Sequence, residues 1–377
     1  MVVINPSFLK GEISVSPEEI VGLLGRSGSG KTSIIKEILG FGGICQMREG
    51  RMGIGLPPPR DLISGVLQDP NSQVLGDSCE DEIELLSMDH RVDAAMAERL
   101  MGKFFRKNFF QLSDGYKKRY ALATVMASKP RYLFLDEPLA NLDARGVAQI
   151  LSIIPKGSLV AEHRVREIRD VVDRVYVISG KSVAEADVDR LYDESFLRAN
   201  GLRGFSVQFE RGSLGKLLLD ADVGFKLEVR EGEVVGLYGN NGSGKTTAIK
   251  KLSRKVYPVF QNPDLQFFKR TVYEEVLDEN ALRAFGLADK AEASPFALSF
   301  GEKMRVLMAA AFSSGKKVLA FDEPTTGMDG DAFLSFLNAV KSMKEQGRGI
   351  VIATHDEDLI ALCDEVINLE SRERLRY

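Results

Sequence analysis

The chain has 377 residues, of which 44% are hydrophobic and 28% charged, enough for two domains of ordinary size that each bury a core. Its formal net charge of −4 argues against a broad nucleic-acid-binding face, which usually needs an excess of basic residues. The three cysteines are scattered and form no CxxC motif, which favours free thiols in a reducing compartment. The amino-terminal residues lack a signal-peptide pattern and no apolar run reaches the length of a membrane span, so we expect any membrane role to go through a partner.

The same motifs occur twice along the chain, in the same order. EEIVGLLGRSGSGKTS at 18–33 recurs as GEVVGLYGNNGSGKTT at 232–247. RYLFLDEPLANLD at 131–143 recurs as KVLAFDEPTTGMD at 317–329. Because the order is conserved between the halves, the pattern predicts a tandem duplication.

The two copies differ in one spacing. Lys31 and Gln68 are 37 positions apart, whereas Lys245 and Gln261 are only 16 positions apart. The second half therefore lacks about 21 residues between these two motifs. We expect this deletion to trim a surface subdomain without touching the strands that carry the motifs.

Each half shows alternating strand and helix patterns. The apolar runs EIVGLLG and EVVGLYG end in glycine, as buried strands do, and are followed by KTSIIKEIL and KTTAIKKL with apolar residues at helical spacing. These patterns predict an α/β fold in both halves. The Asn- and Gly-containing segment at 196–204 separates them, so we place the domains at 1–198 and 203–377.

A G-x-x-x-x-G-K-[ST] loop lies between a predicted strand and helix in each half. Backbone N–H groups of such a loop surround a polyphosphate at the helix N-terminus. Lys31 and Lys245 are expected to reach the β- and γ-phosphates, and the hydroxyls of Thr32 and Thr246 to bind Mg²⁺. A chance glycine-rich turn is the alternative, and two copies in the same context argue against it. The predicted ATP-binding residues of these loops are Gly25, Ser27, Gly28, Ser29, Gly30, Lys31, Thr32, Ser33, Gly239, Asn241, Gly242, Ser243, Gly244, Lys245, Thr246 and Thr247.

An Asp-Glu-Pro sequence ends a predicted strand in each half. Asp136 and Asp322 are placed to hold the Mg²⁺ shell, and Glu137 and Glu323 to polarise an attacking water. Helix-capping acids before a proline are the alternative. The presence of a glycine loop at similar spacing in both halves favours the catalytic interpretation.

These motifs make each half resemble an ATP-binding cassette (ABC) ATPase. Four further features of each half add to the resemblance: a later glutamine, an L-S-x-G segment, an Asp that follows Leu or Met, and a histidine at a strand end. The L-S-x-G segments, here called the signatures, are LSDGYKKRYALA at 112–123 and LSFGEKMRVLMA at 298–309. The resemblance covers nearly the whole chain. It implies two P-loop nucleotide-binding domains, each a RecA-like core with a small helical subdomain, and ATP and Mg²⁺ as cofactors.

In this family two cassettes close head-to-tail, so that each ATP lies between the glycine loop of one and the signature of the other. Here the first signature would face the nucleotide on Lys245, and the second would face the nucleotide on Lys31. His163 and His355 would also contact the γ-phosphate. The signature residues implied to contact ATP are Ser113, Gly115, Ser299 and Gly301.

Both signatures depart from the usual LSGGQ. Asp114 and Phe300 replace the first glycine, and Tyr116 and Glu302 replace the glutamine. An acid near a triphosphate repels it unless the acid is turned away, and phenylalanine restricts a backbone that glycine leaves free. We still expect both sites to bind ATP and at least one to hydrolyse it. Phe209 is the expected adenine-stacking residue of the second half.

Gln68 and Gln261 each begin a segment broken by proline, QDPNSQVL and QNPDLQFF. In the family this glutamine contacts Mg²⁺ and the attacking water, and the residues after it dock onto a transmembrane partner. The stretch FQNPDLQFFKRTVYEEV at 260–276 is similar to the cassettes of energy-coupling factor importers, which take up vitamins or transition-metal ions. This implies a transmembrane coupling protein and a small substrate-binding membrane protein as partners, with the chain peripheral at the cytoplasmic face of the membrane. An Asn-Pro turn capped by an acid is the alternative for the docking part.

Two other functions are compatible with tandem cassettes. A soluble tandem ATPase acting on ribosomes or nucleic acid usually carries a long charged linker, an iron–sulfur cysteine cluster or a basic extension, and this sequence shows none of them. A module that senses ATP without turnover would account for the altered signatures, but the retained Glu137, Glu323, His163 and His355 count against it. We therefore expect an importer ATPase whose two cassettes pair within one chain, with no nucleic-acid partner.

Overall fold

The computed structural model divides the chain into two compact units, Met1–Phe205 and Ser206–Tyr377. The residues that the structure describes are 1–40, 46–47, 62–89, 91–205 and 214–376. Phe209, the expected adenine-stacking residue, lies outside them. Within the described ranges, no helix has both the length and the apolar character needed to cross a lipid bilayer.

The first unit contains one large sheet and one small antiparallel sheet. Its strands are β1 (Val2–Asn5), β2 (Ile13–Val15), β3 (Ile20–Gly25), β4 (Gln46–Met47), β5 (Ile63–Val66), β6 (Tyr132–Asp136), β7 (Ser158–Glu162), β8 (Arg174–Ser179) and β9 (Ser182–Ala186). Its helices are α1 (Lys31–Ile38), α2 (Cys79–Ser87), α3 (Ala94–Met101), α4 (Asp114–Ala127), α5 (Ala144–Leu151), α6 (Val165–Ile168) and α7 (Glu194–Ala199). The large sheet has the order β5–β6–β7–β3–β8–β9, parallel except for the β8–β9 pair. Strands β2, β1 and β4 form the small sheet.

The second unit repeats this plan. Its strands are β10 (Leu217–Asp222), β11 (Lys226–Arg230), β12 (Val234–Tyr238), β13 (Tyr257–Val259), β14 (Val318–Asp322), β15 (Gly349–Thr354), β16 (Glu365–Asn368) and β17 (Arg374–Arg376). Its helices are α8 (Lys245–Leu252), α9 (Val272–Val276), α10 (Glu279–Ala284), α11 (Phe300–Ser313), α12 (Gly330–Glu345) and α13 (Glu357–Ile360). The order β13–β14–β15–β12–β16–β17 matches that of the first unit strand for strand, and only β16–β17 is antiparallel. The predicted α/β fold is therefore confirmed in both halves.

The central strands are buried along their whole length. Every residue of β3, β6, β14 and β15 is buried, which explains why these segments read as continuous apolar runs. The glycine loop that follows β3 ends at Gly30, whose φ of 101° lies in the left-handed region, and α1 begins at the next residue. Gly244 has a φ of 98° and begins α8 in the same way. The strand-loop-helix predicted around each lysine is thus the observed local structure.

A small helical part accompanies each sheet. In the first unit α2, α3 and α4 enclose an apolar cluster that includes Cys79, Met101 and Tyr120. The Tyr120 ring meets Phe109 edge-on, with centroids 5.1 Å apart, and its hydroxyl donates to the carbonyl oxygen of Ser78 at 2.8 Å. The second unit places α9 and α10 against α11 in the corresponding position. These helices carry the two signatures at the N-termini of α4 and α11.

The core of the second unit gives a test of the fold. Phe321 is fully buried in β14 and its ring meets Phe336 edge-on at 5.7 Å. We expect Phe321→Ala to lower the free energy of unfolding by about 3–5 kcal/mol, because the cavity it leaves collapses only partly. The matched control is Phe268→Ala, since that side chain is 84% exposed. Urea titration measures both variants, and an equal midpoint for Phe321→Ala and wild type would contradict this packing.

Candidate functional site

The glycine loop, the DEP acids and the histidine predicted in each unit lie at one edge of its sheet. In the first unit β6, β7 and β3 are parallel neighbours, so their carboxyl ends lie side by side. The register pairs Leu24 with Glu162 and Asp136 with Ala161. The glycine loop, the acidic strand end and the histidine that follows β7 are therefore brought together. The order β14–β15–β12 does the same in the second unit.

The glycine loops leave open space at a helix N-terminus. Their positive φ values are 75° at Gly28, 101° at Gly30, 87° at Gly242 and 98° at Gly244. A Cβ added at Gly28 or Gly242 would meet no atom within 4 Å. The hydroxyl oxygens of Ser29 and Ser243 are buried and have no hydrogen-bond partner among the described residues. Such unsatisfied groups around an open helix start suit a phosphate chain.

The loop lysines are buried inside these turns. Lys31 Nζ donates to the carbonyl oxygen of Gly25 at 2.7 Å, and Lys245 Nζ donates to that of Gly239 at 2.6 Å. Both side chains are buried. An ammonium group held at this position can neutralise phosphate oxygens bound by the loop.

Next to each loop lies a buried aspartate suited to Mg²⁺. Thr32 Oγ1 donates to Asp136 Oδ1 at 3.1 Å, while Asp136 Oδ2 is buried without a partner among the described residues. Burial raises the pKa of Asp136 to about 6, against the opposing effect of the Thr32 hydrogen bond. Burial likewise raises the pKa of Asp322, opposed by Thr246, and one of its oxygens is also unpaired within the described chain.

This donor set fits the way proteins hold Mg²⁺. The ion usually takes one or two carboxylates and completes its shell with substrate phosphates and water. Within the described ranges, no group of three or more His, Cys, Asp or Glu side chains forms a separate metal cluster. A hydroxyl beside an unpaired carboxylate oxygen therefore suits a metal that arrives with the nucleotide.

Glu137 is held by the predicted glutamine and lies beside the predicted histidine. Gln68 Nε2 donates to Glu137 Oε2 at 2.8 Å, and His163 Nδ1 lies 3.4 Å from Oε1. Burial favours a higher pKa for Glu137, but His163, Lys31 and Lys118 outweigh it and hold the pKa below its ordinary value. The backbone of Glu137 has a φ of 47°, which is uncommon outside glycine. The first unit thus gathers an ionised carboxylate, a glutamine and a histidine.

Glu323 has a different set of partners. His355 Nδ1 lies 2.9 Å from Glu323 Oε1, Lys245 Nζ lies 3.2 Å from the same oxygen, and Thr354 Oγ1 donates to Oε2 at 3.0 Å. Burial raises the pKa of Glu323, but His355 and Lys245 bring it below the ordinary value. Gln261 is exposed, and its side chain makes no hydrogen bond to the described residues. The predicted glutamine therefore reaches the acid in the first unit and not in the second.

The second glutamine of each repeated segment has a role that the sequence analysis missed. Gln266 Oε1 accepts from the backbone N–H of Phe260 at 2.8 Å, and its Nε2 donates to the carbonyl of Asn262 at 2.8 Å. Gln73 Oε1 accepts from the N–H of Leu67 at 2.6 Å. These side chains clamp the backbone on either side of the first glutamine. The recurrence of a glutamine five residues after the first was the only available signal.

The proline in each segment begins a short 3₁₀ turn. The Asn262 side chain accepts from the N–H of Asp264 at 3.0 Å, and Asp69 accepts from that of Asn71 at 2.9 Å. In both halves the proline turn is thus capped by the residue before the proline, Asp69 or Asn262. Of the Asn-Pro turn capped by an acid that was considered as an alternative, the second half has the Asn-Pro turn and the first has the acid cap.

Large apolar side chains are exposed directly after these turns. Leu265 is 76% and Phe268 84% exposed in the second unit, and Leu75 is 86% exposed in the first. Glu275, the second acid of TVYEE, accepts a backbone hydrogen bond from Lys269 at 2.5 Å and so holds this segment against α9. Large apolar side chains exposed at the same place in both units are typical of interaction surfaces.

The signatures lie at helix N-termini. Ser113 and Ser299 are the N-cap residues of α4 and α11, and Gly115 and Gly301 lie in the first turns. Phe300 is the first helical residue of α11, so no glycine conformation is needed there. Both serines are exposed. The roles predicted for these residues remain predictions.

Lys118 is a further residue that the sequence analysis missed. Its buried ammonium group donates to the carbonyl oxygen of Glu137 at 2.6 Å, and burial lowers its pKa. The corresponding residue of the second signature helix is Met304. The contrast between a charged and an apolar residue was visible in the sequence, but its partner was not.

Comparison with known proteins relates both halves to one family. Residues 10–140 and 223–275 match the family model described as ABC transporter. An ABC transporter ATP-binding protein of Saccharolobus solfataricus is 25% identical, over 94% of this chain and 87% of its own length. A Bacillus subtilis relative named as an HMP/thiamine import ATP-binding protein, YkoD, is also 25% identical, over 95% of this chain and 85% of its own.

A solved structure of two tandem cassettes has the same fold. It belongs to the complex of the archaeal ribosomal stalk protein aP1 and the archaeal ribosome recycling factor aABCE1, and matches with a TM-score of 0.68. The match covers 94% of this chain and 84% of that chain at 21% sequence identity. At this identity the likeness concerns the fold alone.

The pKa of Asp136 gives a test of the site in the metal-free protein. Because its folded pKa of about 6 lies above the ordinary 3.8, its contribution to stability falls as the pH rises from about 4 to about 6. We expect Asp136→Asn to remove this dependence and to stabilise the metal-free protein at pH 7 by up to about 3 kcal/mol. Urea titration in a chelator between pH 4 and pH 7 measures it.

The control for this experiment has the opposite sign. Lys156 lowers the pKa of Asp173, so that residue stabilises the fold above its unfolded pKa and loses the effect as the pH falls. Asp173→Asn should therefore weaken the fold at pH 7. Parallel pH profiles for Asp136→Asn and wild type would contradict the assignment.

Proposed function

Because the chain is a tandem ABC ATPase, which binds ATP with Mg²⁺ and hydrolyses it, we propose that this hydrolysis drives a membrane importer of the energy-coupling factor type. The imported substrate would be a vitamin or a transition-metal ion. The observation that carries this proposal is the exposed apolar segment that follows Gln261, clamped by Gln266 and held by Glu275. Exposure of these large apolar side chains to water is unfavourable, and a partner that covers them explains it best.

The two acids adjacent in each DEP motif take different roles in the proposed reaction. A water attacks the γ-phosphorus and passes a proton to Glu137 or Glu323, while the bond to the bridging oxygen breaks and ADP leaves. Asp136 and Asp322 would hold Mg²⁺, and the bound ion would neutralise charge on the phosphates. The lowered pKa of each glutamate keeps it ionised and able to accept a proton.

The remaining site residues orient these groups. The glycine loops and their lysines bind the phosphates through backbone N–H groups and one ammonium group each. Gln68 donates a hydrogen bond to Glu137 and so orients it, whereas Gln261 makes no such contact with Glu323 among the described residues. His163 and His355 lie beside the acids and would contact the γ-phosphate.

Head-to-tail closure of the two cassettes within one chain would couple this chemistry to transport. ATP binding would close the pair, and hydrolysis with phosphate release would reopen it. The glutamine segments join the site to the exposed apolar residues, so a movement at the acid would reach the partner. The partners would be a transmembrane coupling protein and a small membrane protein that binds the substrate.

The relatives support a transport role over a ribosomal one. The Bacillus subtilis protein carries an import function in its name and aligns along nearly the whole chain. The ribosome recycling factor shares the fold alone. We propose that the chain is peripheral at the cytoplasmic face of the membrane, that it binds no nucleic acid, and that another polypeptide selects the substrate.

Fractionation of the native host tests the docking surface. We expect the wild-type chain to be recovered with membranes and with small multi-span proteins. Leu265→Asp with Phe268→Asp should release it, because two charges would be buried at the interface, while ATP turnover of the purified protein is unchanged. Leu375→Asp, at an exposed position of the edge strand β17, is the matched control. Recovery of the wild type with ribosomes or nucleic acid would contradict the importer.

The catalytic acids are tested by turnover. Glu137→Gln combined with Glu323→Gln should lower ATP hydrolysis at least about a hundredfold, because neither site retains a carboxylate to accept the proton. Equilibrium binding of ATP should persist. Glu279→Gln, at an exposed position of α10, is the control. Turnover of the double variant at the wild-type rate would show that these acids are not catalytic.

A further inference from the structure

In the second signature, the serine is hydrogen-bonded to the glutamate three residues later in the same segment. Ser299 Oγ donates to Glu302 Oε2 at 2.8 Å, and the backbone N–H of Ser299 donates to the same oxygen at 2.9 Å. The N–H of Glu302 in turn donates to Ser299 Oγ at 3.4 Å. The three contacts form a capping box at the start of α11. The carboxylate of Glu302 thus accepts the hydrogen bond that the hydroxyl of the signature serine can donate.

The first signature lacks this contact. Tyr116 stands where the second signature has Glu302, and its ring packs on Phe104 with centroids 4.0 Å apart. The side chain of Ser113 makes no capping hydrogen bond to α4. Within the described residues the hydroxyl of Ser113 is therefore available, and that of Ser299 is not.

A carboxylate and a terminal phosphate compete for the same donors. Both are anions that accept hydrogen bonds from a serine hydroxyl and are stabilised by a helix N-terminus. The hydrogen bonds from Ser299 lower the pKa of Glu302, so the carboxylate is ionised at neutral pH. A γ-phosphate that approaches Ser299 must displace this carboxylate and also meets its negative charge.

We propose that Glu302 is an internal competitor of the ATP γ-phosphate for Ser299. Given the head-to-tail pairing proposed above, on which this inference rests, Ser299 serves the ATP bound by Lys31. The Lys31 site then closes on ATP less readily than the Lys245 site, which is served by the unblocked Ser113. The two ATP sites, built on one plan, would thus differ in how readily they engage ATP.

Equilibrium nucleotide binding to the full chain tests this. Turnover is removed with Glu137→Gln and Glu323→Gln, and either Lys245→Ala or Lys31→Ala leaves one complete glycine loop. With Lys31 intact, Glu302→Gln should tighten MgATP binding about tenfold, because the competing charge is gone. MgADP binding should not change, since ADP has no γ-phosphate. With Lys245 intact instead, Glu302→Gln should change neither MgATP binding nor MgADP binding.

Glu302→Gln also separates competition from simple helix capping. Glutamine can rebuild the capping box without the charge, so thermal stability should be close to that of the parent. Glu302→Ala should tighten ATP binding in the same way but lower the melting temperature, because the cap is lost. If the change in ATP affinity followed the change in melting temperature across the two variants, the proposal would be overturned.

The first signature offers the reverse substitution. Tyr116→Glu places an acid at the position of Glu302 and should weaken MgATP binding at the Lys245 site about tenfold, with MgADP unchanged. Tyr116→Gln, which has the same length and no charge, is the matched control. If both variants weaken ATP binding equally, the effect comes from lost packing of Tyr116 against Phe104 and not from competition by a charge.

The outcomes distinguish this inference from the proposed function. An unchanged ratio of ATP to ADP affinity in every Glu302 variant, with ATP still bound, would overturn the competition alone. An effect confined to the chain with Lys245 intact would contradict the head-to-tail pairing. A chain that binds no ATP at all would overturn both.

Discussion

Both units depend on the parallel pairing of three central strands. Parallel pairing sets the carboxyl ends of neighbouring strands at one edge, and burial on both faces leaves those ends as the only positions where the strands can carry charge. Asp136 and Asp322 are the last residues of such strands. The glycine loops begin where β3 and β12 stop, with β7 or β15 lying between these strands and the ones that carry the aspartates. A site with a phosphate cradle on one strand and acids on another is thus a direct consequence of strand order.

Neighbouring carboxylates at this edge are driven to opposite behaviour by their surroundings. Burial raises the pKa of Asp136 to about 6, while the cations and histidine around Glu137 lower its pKa. Two neighbouring carboxyl groups whose pKa values are shifted in opposite directions can serve different roles, here metal binding and proton acceptance. Glu137 and Glu323 share a left-handed backbone, with φ values of 47° and 46°. Such strain persists only where the surrounding structure holds it.

The duplicated units have diverged in what surrounds the same core residues. Glu137 accepts a hydrogen bond from Gln68, whereas Glu323 accepts one from Thr354 and none from Gln261. The signatures diverge as well, since one serine is self-capped and the other is not. These differences lie in side-chain partners and leave strand order and loop conformation unchanged. Divergence of this kind can make two sites unequal without altering the fold.

The sequence by itself determined the α/β fold, the duplication and the local form of the glycine loops, because these follow from short-range spacing and from the few residues that tolerate positive φ. The capping box at Ser299 also depends only on local sequence, since it needs a serine followed three residues later by a glutamate. The clamp made by Gln266 and the contact of Lys118 with Glu137 were not readable, because the partners come from separate elements. Which glutamine reaches its acid was decided only by the tertiary structure, since a side chain's partner depends on how strands and loops distant in sequence pack around it.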